Sequence, residues 1–192
     1  MEIYINDEKI DIDIETKDKE EVLAEARDNI TDEIIDKIYL DEVEVSLDYF
    51  KENSIKLDKI DKIRFVTKKN EVLVEETLNQ AKEYLPKLKN ALIQTAKLYE
   101  NKKLNVAAEK LDQCLDGLEW YTEVMSGIYN LIDEKDISEQ GKELLNKLNK
   151  ANTRAMVALQ NENYDYLSDI IKVEVVEYLQ NLDNLNNKLL EE

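Results

Sequence analysis

Residues 104–132, LNVAAEKLDQCLDGLEWYTEVMSGIYNLI, decide the fold. Apolar residues recur in this stretch at alternating steps of four and three, which places them along one side of an α-helix. A second row, spaced by seven residues, widens the apolar face: Ala107, Cys114, Tyr121 and Ile128. A helix that is apolar on so much of its surface must be covered by several neighbours. We therefore predict that this helix is the central element of a helical bundle.

Three further segments carry the helical period: residues 70–99, 136–158 and 164–190. Pro86 lies inside the first of them, where a proline removes one backbone hydrogen bond. Because the apolar spacing keeps its phase across Pro86, we expect a kink and not a break. Connections of two to five residues require sequence neighbours to run antiparallel. Residues 70–192 are therefore predicted to form an antiparallel four-helix bundle of long helices.

The first 69 residues follow a different pattern, in which apolar and polar side chains alternate with a period of two. This alternation predicts short strands with one buried face, whose inward residues are Ile3, Ile5, Ile10, Ile12, Ile14, Ile38, Leu40, Val43, Val45, Ile63 and Phe65. Asp18, followed by Glu21, has the spacing of a capping box and predicts a helix over 19–30. Asp136, in preference to Ser138, is the predicted N-cap of the third long helix.

The order strand, strand, helix, strand, short strand, turn, strand resembles the β-grasp arrangement of ubiquitin-like domains. The resemblance covers roughly a third of the chain and rests on element order and spacing. Ubiquitin and its sulfur-carrier relatives end in a free Gly-Gly, whereas here Thr67-Lys68-Lys69-Asn70 runs directly into a helix. The resemblance therefore implies a docking or oligomerising module and not a conjugated tag. The predicted fold class is α+β, with a β-grasp-like domain at 1–69 and a four-helix bundle at 70–192.

The charge of the chain restricts its partners. Its 192 residues include 44 Asp and Glu against 26 Lys and Arg, a formal net charge of −18. So negative a surface repels nucleic acid and anionic lipid. No apolar run approaches the ~18 residues of a membrane span, and the first residues lack the pattern of a signal peptide. We expect a soluble cytoplasmic protein with neither nucleic acid nor membrane as a partner.

Few residue types suited to catalysis are present. The chain contains no His, so the usual zinc sites, nucleophilic triads and di-iron patterns each lack a necessary member. Cys114 is the only cysteine and is expected to be a small buried hydrophobe. Glu139 and Glu143 could hold Mg²⁺ or share a proton, although such pairs arise by chance in a chain that is 36% charged. No catalytic residue, metal or cofactor is predicted.

Two interpretations of Trp120 and Tyr121 remain open. Both rings fill the core, as large aromatic side chains commonly do, or Trp120 faces outward with Val124 and Leu131 in an apolar patch. Such a patch marks a binding site for another protein or for a second copy of the chain. The candidate partner-binding residues are accordingly Trp120, Tyr121, Val124 and Leu131.

Two charged residues occupy positions on the predicted inward faces of the bundle helices. Glu174 lies on the apolar side of the last helix, and Arg154 lies among alanines on the third. A carboxylate that faces a core must find a partner or become protonated. We therefore expect Glu174 to be held by Arg154 or by a tyrosine hydroxyl, as a satisfied contact inside the bundle.

The leading functional hypothesis is a non-catalytic bacterial protein that binds other proteins or itself, and a homodimer is one form of such binding. An amphipathic helix of the partner would lie in a groove of the bundle. A chaperone-like role follows by fold-level analogy alone, with acidic bundles that escort exported subunits. The alternative is a metal-binding or hydrolytic bundle enzyme that uses Asp and Glu alone.

Overall fold

The fold is described by a computed structural model that covers residues 1–11, 18–52 and 56–191. Within them the chain is α+β, since the strands of a mixed sheet are followed by long helices. The chain divides into two compact units, Met1–Leu73 and Val74–Glu192. Ile12 and Ile14, predicted to face inward on a strand, lie outside the described residues.

The first unit is built on a five-stranded sheet. Its strands are β1 (Glu2–Ile5), β2 (Glu8–Ile10), β3 (Glu33–Leu40), β4 (Val43–Val45) and β5 (Lys62–Lys69). They lie in the order β2-β1-β5-β3-β4, in which β1 and β5 are parallel and the other neighbours are antiparallel. In the described parts of the connections lie two short α-helices and one 3₁₀ turn: α1 (Lys19–Asp28), α2 (Leu47–Lys51) and Leu57–Lys59.

The period-two alternation sorts most of the strand residues onto two faces, as predicted. Val43 is an exception: although it is predicted to face inward, it is 64% exposed on β4, the last strand at one edge of the sheet. One face joins the helices in a buried core made of Ile3, Val22, Leu23, Ala26, Ile38, Leu40, Phe50, Leu57, Ile63 and Phe65. The other face carries a row in register across all five strands: Lys9, Tyr4, Arg64, Tyr39 and Glu44. Asp18 accepts a hydrogen bond from the Glu20 backbone N–H at 2.8 Å, which confirms the predicted N-cap of α1.

The second unit consists of helices. They are α3 (Asn70–Glu100, whose first turn belongs to the first unit), α4 (Leu104–Leu131), α5 (Lys135–Gln160), α6 (Tyr164–Asp169), a π-helical segment (Ile170–Val175) and α7 (Val176–Glu191). α3 continues through Pro86 without a break, as the phase of its apolar spacing predicted; the kink at Pro86 stays a prediction.

Side chains on the inward faces hold these helices together. The Thr95 hydroxyl on α3 lies 3.8 Å from the Cys114 sulfur on α4, and the Ser168 hydroxyl on α6 donates to the Ala96 carbonyl on α3 at 3.0 Å. The largest fully buried side chains of the unit are Tyr99, Tyr121, Tyr129, Leu78, Leu85, Leu92, Met125 and Leu148. Cys114 is buried among them, and burial raises the pKa of its thiol, as a structural cysteine requires.

Two predictions about the later helices are wrong. α5 begins at Lys135, and Glu134 precedes it without a side-chain capping bond, so Asp136 is not the N-cap. Ser138 is buried and donates its hydroxyl hydrogen bond to the Tyr129 carbonyl of α4. The segment predicted as one regular helix from residue 164 contains a π-helical stretch, which follows an i to i+5 hydrogen-bond pattern that apolar spacing does not reveal.

Candidate partner-binding surface

Trp120 lies on the surface of α4, where 45% of its side-chain and backbone area is exposed. The interpretation that Trp120 fills the core is therefore wrong. Its indole packs edge-on against the Tyr84 ring of α3, with ring centroids 5.1 Å apart and an interplanar angle of 77°. Such edge-to-face contacts are favourable between aromatic rings, so Tyr84 fixes the orientation of an otherwise solvent-facing indole.

The Tyr84 side chain packs against α4 at Gly117. A Cβ atom built at Gly117 would collide with the Tyr84 hydroxyl oxygen and would also contact Leu88 at 3.4 Å. The tyrosine ring therefore occupies the space that a side chain at Gly117 would need. Burial raises the pKa of the Tyr84 hydroxyl. Sequence analysis missed Tyr84; the available signal was an aromatic residue directly beside the apolar stripe of α3 at Leu85.

Tyr121, the neighbour of Trp120, is 1% exposed. It is therefore part of the core and is not available to a partner, which corrects its inclusion among the binding candidates. Its hydroxyl accepts a hydrogen bond from the Asn186 amide of α7 at 3.2 Å. The Asn186 carbonyl oxygen accepts in turn from the buried Tyr129 hydroxyl at 2.6 Å. Burial is the main cause that raises the pKa of both tyrosines.

Val124 and Leu131 are half-buried and continue the line of Trp120 along α4. Gly127 lies between them, and a Cβ atom built there would meet nothing within 4 Å. The spacing of four, three and four residues places all four on one side of the helix. We refer to Trp120, Val124, Gly127 and Leu131 as the α4 stripe. It has an exposed indole near one end and open space in the middle.

The flank of the α4 stripe is acidic. Asp116, Glu119 and Glu123 are exposed and lie within one helical turn of Trp120. Lys110 is the only basic residue among the 28 residues of α4. On α3, the exposed Lys87 follows Tyr84 by three residues and adds one positive charge on that side. The surface of α4 around Trp120 is therefore negatively charged.

Arg154 and Glu174 contact each other, as the sequence predicted. The Arg154 guanidinium donates to the Glu174 carboxylate across α5 and the π-helical segment. Their side chains are 45% and 32% exposed, so the prediction that they are buried polar residues is wrong. An ion pair with this exposure is screened by water and contributes little to stability.

No catalytic constellation is evident among the described residues. Within those ranges no group of three His, Cys, Asp or Glu side chains is arranged to hold a metal ion. Glu143 forms an ion pair with Lys147 at 2.7 Å, and this contact lowers the pKa of the Glu143 carboxyl. The carboxylate that sequence analysis paired with Glu139 is therefore bound to a lysine one turn away. None of the helices in the described ranges is long and apolar enough to cross a membrane.

Comparisons with known proteins concern the helical part of the chain. A family model described as "Domain of unknown function (DUF8042)" matches residues 76–185, more than half of the chain. The match runs from α3 into α7 and includes the whole α4 stripe. No curated protein and no solved structure gives a significant match.

Proposed function

We propose that this chain, which belongs to the DUF8042 family, is a non-catalytic module that binds another protein. The observation that carries the proposal is the exposed Trp120, held in place by Tyr84. Tryptophan is enriched at the centres of protein interfaces, where a few buried anchors supply most of the binding energy. The apolar α4 stripe around it provides the surface that such an anchor requires.

The exposed indole is large enough to matter for binding. A tryptophan presents up to about 250 Å² of surface, of which 45% is exposed here. At about 25 cal/mol for each Å² of apolar area, covering that surface is worth about 2 to 3 kcal/mol. This equals one to two orders of magnitude in a dissociation constant.

We propose a β-grasp fold for residues 1–69 and an antiparallel four-helix bundle for residues 70–192. The first is supported by the strand order β2-β1-β5-β3-β4, with β1 and β5 parallel in the middle of the sheet. The second is supported by two ion pairs in which the residue number rises along α3 while it falls along the last helical segments, as in antiparallel helices. Lys89 binds Asp183 at 2.8 Å, whereas Glu100 contacts Lys172.

We propose a cytoplasmic location and no nucleic-acid or membrane partner, on the basis of the net charge of −18.

Binding to a second copy of the chain is an alternative form of the proposed activity. It predicts that sedimentation velocity shows a larger particle as protein concentration rises, and that Trp120 emission changes on dilution.

Affinity purification from the source cell tests the proposal with a matched pair of variants. Trp120→Ser removes an aromatic residue that is 45% exposed, and Tyr166→Ser removes one on α6 that is 48% exposed. We expect a protein that co-purifies with the wild type and with Tyr166→Ser to be lost with Trp120→Ser. Equal recovery by both variants, or a chain that is monomeric and recovers nothing, contradicts the proposal.

A further inference from the structure

Gly127 is the feature of the α4 stripe that the fold of the chain itself does not explain. A glycine inside a helix costs backbone entropy and packs no side chain. The other two glycines of the chain have a local reason, because a Cβ atom would collide with Tyr84 at Gly117 and with the Tyr129 ring at Gly141. At Gly127 a Cβ atom would meet nothing within 4 Å. Gly127 is exposed, so the backbone of α4 is uncovered at this point, between Val124 and Leu131.

The position of this opening suits a second helix. Gly127 lies between Val124 and Leu131, two half-buried apolar residues, and Trp120 stands two turns before it. Helices approach one another most closely where the side chain at the contact is smallest. A helix that crosses α4 at Gly127 would cover both aliphatic residues and bring its own side chains to the exposed indole.

The charge around the α4 stripe indicates which charge the contacting residues of the partner carry. Asp116, Glu119 and Glu123 border the Trp120 end and are exposed. A second copy of the chain would bring the same carboxylates to the contact, and like charges across an interface oppose binding. Lysine or arginine side chains would instead be attracted, and a cation over an indole face gains a further cation–π interaction.

We propose that the α4 stripe binds a basic amphipathic helix of a partner protein, centred on Gly127. Apolar residues of that helix lie against Val124 and Leu131, and a lysine or arginine from its flank lies against Trp120, close to Glu123. The proposal deepens the protein-binding function and rests on it. It names the location, the shape and the charge of the partner segment.

A designed peptide provides the test. The probe is a fluorescently labelled amphipathic helix of about 18 residues, long enough to form a stable helix on a surface, with leucines on one face and lysines on its flanks. A second peptide has glutamate in place of each lysine. Fluorescence anisotropy then reports binding to the full chain, and we expect only the lysine peptide to bind, with an affinity that falls as salt rises.

Matched variants separate this site from general attraction to an acidic protein. Gly127→Leu fills the opening and is compared with Ser126→Leu, an exposed neighbour off the stripe. Glu123→Lys is compared with Glu139→Lys, an exposed carboxylate on α5 with the same change in net charge. We expect Gly127→Leu and Glu123→Lys to weaken binding at least about tenfold, roughly one lost anchor or ion pair at an interface. The two controls should change affinity less than about twofold, as surface changes outside a contact do. Circular dichroism confirms that each variant is folded.

Absence of binding by the lysine peptide, or equal effects of a variant and its control, overturns the inference. The proposed function is judged separately, by whether Trp120→Ser loses the partner that the wild type recovers from cells. A partner that depends on Trp120, together with a lysine peptide that does not bind, would leave the function standing and refute the basic helix.

Discussion

One substitution made at two glycines should have opposite effects on stability. Gly127 and Gly141 both lie inside long helices, so replacing either with alanine raises helix propensity by about 1 kcal/mol. At Gly127 the new methyl group meets no atom within 4 Å. At Gly141 it would lie 2.6 Å from three carbon atoms of the Tyr129 ring, closer than two carbon atoms can approach. The ring would have to move.

The cost at Gly141 follows from how firmly Tyr129 is held. Its ring is fully buried, and its hydroxyl donates to Asn186 at 2.6 Å. Forcing an extra methyl group into a packed core costs about 1 to 3 kcal/mol. Displacing the hydroxyl from its buried partner adds about 1 to 3 kcal/mol. After the gain in propensity of about 1 kcal/mol, we expect Gly141→Ala to lower the free energy of unfolding by about 1 to 5 kcal/mol and Gly127→Ala to raise it by about 0.5 to 1 kcal/mol.

Urea unfolding followed by tryptophan emission measures both values in the relevant unit, because Trp120 is the only tryptophan and lies on α4. With a mid-range slope of about 2 kcal/mol per molar urea, the two midpoints should differ by about 1 to 3 M. A Gly141→Ala protein at least as stable as the wild type would refute the packing described for Tyr129. A destabilised Gly127→Ala protein would refute the open space at that position.

Four further predictions concern the core, pH and metals. Asn186→Leu should lower the free energy of unfolding by about 2 to 4 kcal/mol in urea, because two buried tyrosine hydroxyls lose their partner. Folding raises the pKa of Tyr121 and Tyr129 above the ordinary value of 10.0. The contribution of the two neutral hydroxyls to the free energy of unfolding is therefore complete below pH 10. It should be lost above that pH by about 1.4 kcal/mol per pH unit for each ring, and Tyr129→Phe should reduce the slope. Arg154→Gln should cost less than about 1 kcal/mol, and less still in high salt. Calorimetry with Mg²⁺, Mn²⁺ and Fe²⁺ should show no heat; tight binding of any of them would favour the carboxylate-based enzyme.

Much of the local structure follows from patterns that involve one segment at a time. The alternation around Ile38 and Phe65 predicts strands because one face of the sheet must be buried. The helical spacing in α3 predicts a continuous helix through Pro86 because packing of the whole face outweighs one lost hydrogen bond. Asp18 predicts the start of α1 because its side chain satisfies a free backbone N–H.

Features that depend on contacts between segments could not be predicted from one sequence. Trp120 packs edge-on against Tyr84, which lies 36 residues earlier on α3, and spacing within one helix gives no sign of that contact. Ser138 is buried because it bonds the end of α4, so it does not compete for the helix N-cap. In the π-helical stretch Ile170, Ile171 and Val175 are buried. Their spacing of one and four residues is also found in a regular helix, and it therefore gives no sign of the π-helical hydrogen bonds.

Collisional quenching of Trp120 shows whether the α4 stripe is a docking surface. In the free chain the indole is 45% exposed, so its emission should be red-shifted and readily quenched by acrylamide. With saturating lysine peptide we expect a blue shift and protection from acrylamide, both absent with the glutamate peptide. If the indole stays equally accessible to acrylamide while the labelled lysine peptide is bound, the peptide binds elsewhere and the α4 stripe is not the docking surface.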